Sequence, residues 1–145
     1  MNYRIFVVED HPVMREVYEN LLEAEPDLEL CEMADSAEQF FERLPDTDCD
    51  VVVTDLLLPG ADGFALVERL QAEHPALPVI VISAHEEPAY LERSREAGAC
   101  AYLSKRDLAR DLAPTVTRVM RAASAGEAVT PSRAGAARQG RGWPS

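Results

Sequence analysis

The chain has 145 residues, enough for one ordinary domain and short for a two-domain enzyme. Apolar residues make up 47 % of it, the usual globular share, and no apolar run approaches the roughly 18 to 20 residues that a membrane span requires. The 26 acids against 14 bases give a net charge of −12, which repels phosphate backbones and argues against direct nucleic-acid binding.

Residues 4 to 8 (RIFVV) are a short apolar, β-branched run ending in Glu9-Asp10, and they read as a buried strand. Asp10-His11-Pro12 supplies a cap and an early-turn proline. Val13, Met14, Val17, Tyr18, Leu21 and Leu22 then recur at helical spacing until Pro26 stops the helix. Residues 28 to 34 (LELCEMA) are a weaker strand candidate, followed by Ser36 and Gln39 as the capping box of a helix through Leu44. A third strand, 51 to 53 (VVV), ends in Thr54-Asp55, and a helix from Phe64 to His74 is stopped by Pro75. The purest strand, 79 to 82 (VIVI), is closed by Ser83-Ala84; a helix from Pro88 to Ala97 follows, closed by Gly98. Residues 100 to 103 (CAYL) make a fifth strand.

Pro114 governs the reading of the last helix. Begun at Asp107, that helix would carry proline in its interior and lose a hydrogen bond at a cost of about 3 kcal/mol. Asp111 is therefore taken as its cap, with the helix running to about Ala125 and 106 to 110 left as a loop or single turn. Residues 126 to 145 hold four of the chain's seven glycines and three arginines against one acid, without apolar periodicity. They read as a flexible tail, and removing its +2 leaves residues 1 to 125 at −14.

Five strands alternating with helices predict an α/β fold, with right-handed crossovers and a parallel sheet covered on both faces. In such sheets ligands bind beyond the carboxyl ends of the strands. Those ends deliver Glu9, Asp10, Asp55 and Ser83, and the fifth strand leads to Lys105, the single lysine among 13 arginines. Taken one at a time these have ordinary readings: Asp10 as a helix cap, Asp55 as a turn former before Pro59-Gly60, Ser83 as a polar strand terminus, Lys105 as a surface base. Gathered together, three carboxylates raise one another's pKa unless a cation compensates. Mg²⁺ suits best, because it takes oxygen ligands, keeps waters, and is held by one or two carboxylates plus substrate phosphate.

The acidic loop after strand one lacks the Gly-rich or Ser/Thr-rich phosphate cradle of flavodoxin and dinucleotide sites. No G-x-S-x-G elbow, Walker A or H-E-x-x-H occurs, and His11, His74 and His85 show no zinc-like spacing. Cys31, Cys49 and Cys100 are an odd number without C-x-x-C spacing, and the start MNYRIFVVEDHP lacks a signal peptide's basic and apolar regions. A reducing cytoplasm is the expected location, with the thiols acting as small hydrophobes.

Glu9-Asp10, the run D-L-L-L-P-G-A-D-G from Asp55 to Gly63, Ser83-Ala84, and Tyr102-Leu103-Ser104-Lys105 together resemble the receiver domain of bacterial response regulators. The opening EDHPVMR is most similar to the NarL/FixJ-type subgroup, whose members usually carry a C-terminal helix-turn-helix. The resemblance implies a flavodoxin-like (βα)5 sandwich over residues 1 to 125 with strand order 2-1-3-4-5, and makes 126 to 145 a linker remnant.

It implies that Asp55 receives a phosphoryl group from a kinase phosphohistidine or a phosphotransfer protein. Glu9, Asp10, Asp55 and the backbone carbonyl of Leu57 would bind Mg²⁺. Lys105 would pair with a phosphoryl oxygen, and Ser83 and Tyr102 would form a switch pair. The face of helix four, strand five and helix five, with Tyr90, Arg93 and Arg95, would meet a downstream protein or, when phosphorylated, a second copy. The expected roles are signalling switch, kinase phosphate sink, or receiver half of a NarL-type transcription regulator whose DNA-binding domain lies outside this chain.

Turnover on external substrates is not expected, because Leu57 stands where a haloacid-dehalogenase phosphatase has its second aspartate. Slow self-dephosphorylation is implied, with Leu57 and His85 near the path of the attacking water. Two departures from the pattern stand out. Arg106 replaces the proline that often follows the lysine, which leaves the isomer of that peptide bond open. The stretch from Lys105 to the last helix also counts several residues too long.

Overall fold

The computed structural model describes residues 2–58 and 61–125. The expected tail over 126–145 and the Pro59-Gly60 turn lie outside the described residues. In chain order the elements are β1 (Tyr3–Val8), α1 (Pro12–Glu23), β2 (Leu28–Ala34), α2 (Ala37–Arg43), β3 (Val51–Asp55), α3 (Gly63–Glu73), β4 (Val79–Ser83), α4 (Pro88–Ala97), β5 (Ala101–Ser104) and α5 (Leu108–Ser124). Counting the sheet strands in this way, their spatial order is β2-β1-β3-β4-β5, all parallel, as a doubly wound sandwich requires.

Alternation along each strand divides the interior into two cores. Phe6, Val8, Val52, Val81 and Tyr102 pack under α2, α3 and α4 with Phe40, Phe64, Leu70 and Ala97. Ile5, Val7, Val53, Ile80, Ile82 and Leu103 pack under α1 and α5 with Tyr18, Leu22, Leu112 and Val116. The register sets Asp55 beside Ile82 and Ser83 beside Ser104, so the carboxyl ends of β3, β4 and β5 open on one rim.

The caps agree with the sequence in kind. His11 caps α1 through Nδ1, which accepts the Val13 N–H at 3.3 Å, with Pro12 in the first turn. Ser36 Oγ accepts the Gln39 N–H at 3.1 Å, while the Gln39 side chain takes the Asp35 N–H at 2.8 Å. Gly98 closes α4 at φ 118°, a left-handed geometry that side chains with a Cβ rarely adopt. The register between β1 and β2 skips Cys31, which leaves it as the extra residue of a bulge, its thiol on the Ile5 carbonyl at 3.3 Å.

The structure corrects the last helix. It begins at Leu108 and not at Asp111, so Pro114 sits inside it. Leu108, Leu112, Val116 and Val119 form one buried stripe at helical spacing. Burying Leu108 alone contributes about 2 kcal/mol. Proline's missing bond falls to the carbonyl of Arg110 on the exposed side, where water can satisfy it. Of the loop or single turn expected over 106–110, the structure has the single turn, a 3-10 turn over Lys105–Asp107 that runs straight into α5, so the connection is not overlong. Arg106 gives its backbone N–H to Ser104 Oγ at 3.2 Å, a bond proline cannot make.

A short antiparallel ladder after β3, Leu57–Leu58 with Ala61–Asp62, was not legible because two residues show no period. Among the described residues no helix is long and apolar enough to cross a membrane.

Candidate functional site

The chain leaves β1 at Val8 and turns into α1, which brings Glu9 to the rim fully buried and Asp10 exposed. Asp55 ends β3 at 4 % exposure. Each of these three carboxylates places an oxygen within 4.8 Å of the others. Lys105, carried by the turn after β5, reaches past β4: its Nζ lies 2.9 Å from Asp55 Oδ2 at the end of β3 and 3.9 Å from Glu9 Oε1. Leu57 is exposed, and its N–H donates to Asp55 Oδ1 at 3.2 Å.

Burial raises the pKa of Glu9 to about 7, with the Asp55 charge adding to it and the His11 N–H and Lys105 opposing. Desolvation lowers the Lys105 pKa, but the Asp55 hydrogen bond and the surrounding carboxylates outweigh it and leave a net rise. The Glu9 shift reports burial first and the neighbouring Asp55 charge second, whereas the Lys105 shift reports the carboxylates around it. Glu9 Oε2 accepts the His11 N–H at 3.2 Å, whereas Oε1 is buried without a hydrogen bond among the described residues. An orphaned carboxylate oxygen in an all-oxygen donor set fits a hard divalent cation.

Gly63 holds the loop after Asp55 in place. It donates its N–H to the Leu56 carbonyl at 3.0 Å, and a Cβ there would lie 2.2 Å from that same oxygen. Asp62 caps α3 through the Phe64 N–H at 2.8 Å. The sequence marked Gly63 only as a letter in a motif, since no spacing rule reports so close an approach of backbones.

Ser83 is buried, and its Oγ accepts the His85 N–H at 3.0 Å. Tyr102 is turned inward at 8 % exposure, donates to the His85 carbonyl at 2.5 Å, and lies within hydrogen-bonding reach of Ser83. The His85 ring stacks on Tyr90 at 4.4 Å, and Tyr90 on Phe64 at 6.3 Å. Arg93 lies over the Phe64 ring at 4.1 Å and pairs with Asp62 at 3.3 Å. Arg95 pairs with Glu92 on α4 itself. His85 is therefore a hub between the Ser83 and Tyr102 hydroxyls and α4, a role that a lone histidine in a loop did not announce.

The family profile for the response regulator receiver domain matches residues 5–117. The chain belongs to that family. As a receiver it is 33 % identical over 117 residues to the sensory/regulatory protein RpfC of Xanthomonas campestris pv. campestris, covering 78 % of this chain and 16 % of that protein. It is 31 % identical over 102 residues to the transcriptional regulatory protein UhpA of Salmonella typhimurium, covering 70 % of this chain and 50 % of the other. A crystal structure of a LuxR-family two-component response regulator from Aurantimonas sp. SI85-9A1 superposes with TM-score 0.79 at 28 % identity, over 88 % of this chain and 89 % of that one. The receiver spans 16 % to 55 % of the length of its first curated relatives.

Proposed function

We propose that the protein is a phosphorylation switch: Asp55 accepts a phosphoryl group from the phosphohistidine of a sensor histidine kinase or phosphotransfer protein, and the resulting change is passed to a partner. The observation that carries this is the approach of Lys105 to Asp55 at 2.9 Å beside two further carboxylates. Glu9, Asp10, Asp55 and the backbone carbonyl of Leu57 are the ligands assigned to Mg²⁺. When bound, the cation offsets negative charge on the transferring phosphoryl oxygens.

The protein's own groups supply the rest. The Leu57 N–H and the Lys105 ammonium hold the two oxygens of Asp55 apart and orient the carboxylate. Attack by an Asp55 oxygen forms a P–O bond as the donor's P–N bond breaks, and the electron pair of that bond stays on the imidazole nitrogen, which takes a proton from water. Lys105 moves from Asp55 to a phosphoryl oxygen, a task for a compact ammonium on a flexible stem. Ser83 accepts from His85 and keeps its own proton to donate. Turning that proton toward the phosphoryl group frees Tyr102 and, through His85, loosens the stack on Tyr90. The face of α4, β5 and α5 is the surface assigned to a downstream protein or a second copy.

Residues 1–125 are assigned to the receiver and 126–145 to a linker segment. Likeness to UhpA favours a second reading, the receiver half of a transcription regulator; the genomic reading frame beyond Ser145 tests it.

Incubation with Mg²⁺ and a small phosphodonor, followed by intact-mass spectrometry, tests the main reading. One phosphoryl group is expected on the wild type and none on Asp55→Ala or in EDTA. Equal labelling of Asp55→Ala would falsify it.

A further inference from the structure

Val7, Val53 and Leu103 stand two residues before Glu9, Asp55 and Lys105, and all three lie in the core under α1 and α5. Alternation puts Asp55, the last residue of β3, on that same face, and Glu9 and Lys105 gather against it, the Lys105 Nζ lying 2.9 Å from Asp55 and 3.9 Å from Glu9. Tyr18 is buried by α1 into this layer, fully shielded from solvent and packed with Val7, Val53, Ile82 and Leu103. Its hydroxyl has no hydrogen-bond partner among the described residues, and neither has Glu9 Oε1.

Some nine in ten buried polar groups are partnered. Two orphans in one layer, one with a proton to give and one with a lone pair to receive, are an arrangement awaiting completion. Burial first, then the charges of Glu9 and Asp55, hold the phenol well above its ordinary pKa, so the hydroxyl stays a donor. Lys105 does not complete Glu9, because its short contact goes to Asp55.

We propose that Tyr18 is a positioning residue of the pocket: its hydroxyl is the donor held for Glu9 Oε1, and that bond forms when the pocket takes up its divalent cation. The proposal rests on the reading of the pocket as a Mg²⁺ site. With Oε2 held by the His11 N–H from one side, a donor on Oε1 fixes the plane of the carboxylate. Outer hydrogen bonds of this kind orient metal ligands and typically carry about 10-fold or more in affinity.

The test compares the full chain with Tyr18→Phe. Mg²⁺ is titrated alone while the amide NMR shifts of His11 and Leu57 are followed, and thermal midpoints are measured in EDTA. Tyr18→Phe is expected to bind Mg²⁺ about 10-fold more weakly, with a metal-free midpoint equal to or above wild type, since Phe removes a hydroxyl that has no bond to lose there. Equal affinities overturn the inference alone. Weaker affinity with a lower metal-free midpoint overturns it too, because the hydroxyl is then an ordinary structural group. No Mg²⁺ binding by the wild type overturns the reading of the pocket and takes this inference with it.

Discussion

Glu9 carries its burial as a dependence of stability on pH. Its pKa rises to about 7 in the folded chain, from an unfolded value near 4.5. Between those values the folded state binds a proton that the unfolded state has released, so metal-free stability falls as pH rises from about 4.5 to about 7 and is flat above. A shift of this size corresponds to roughly 3 kcal/mol at most. Calorimetry in EDTA is expected to give a midpoint that falls from pH 5 to pH 7 for wild type and a flatter line for Glu9→Gln. An equally steep fall in the variant would remove Glu9 as the cause.

Two positions at the level of elements invite substitution. Pro114 interrupts the hydrogen-bond ladder of α5 while facing solvent, so Pro114→Ala should raise stability by about 1–3 kcal/mol, read from urea denaturation. Gly63→Ala would set a methyl against the Leu56 carbonyl and should cost about 3 kcal/mol. Because Gly63 anchors the segment that follows Asp55, this variant should also slow phosphoryl uptake from a small donor. Full stability with full uptake would remove Gly63 from the site's framework.

Pro114 also shows why α5 was misplaced in the sequence. The cost of an interior proline is local and visible in one letter, whereas the burial of Leu108 depends on a sheet face assembled from β1, β3, β4 and β5. The five strands, the capping pairs and the stop at Gly98 were legible because period and cap chemistry act within a few residues. The gathering of Glu9, Asp10, Asp55 and Lys105 at one rim was legible too, since strand ends of a parallel sheet converge whatever the loops do. Tyr18 was legible only as an apolar helical position; its unpartnered hydroxyl emerges once α1 is laid on the sheet.

At the scale of the whole molecule, a chain at −12 is stabilised by any salt through screening, so a rise in midpoint with MgCl₂ is not by itself a sign of a site. The discriminating measurement holds ionic strength constant. MgCl₂ is expected to raise the thermal midpoint above matched NaCl in wild type, by mass action on the folded state. Asp10→Asn and Asp55→Asn should abolish the difference. A surplus that survives both substitutions would mean the cation binds elsewhere.

Alternation sends Asp55, two residues after Val53, toward the core under α1 and α5, and sends Tyr102 into the opposite core with Phe64 and Ala97. Asp55 and Tyr102 therefore belong to different cores and are brought together at the rim, where Ser83, beside the end of β3, lies within hydrogen-bonding reach of Tyr102.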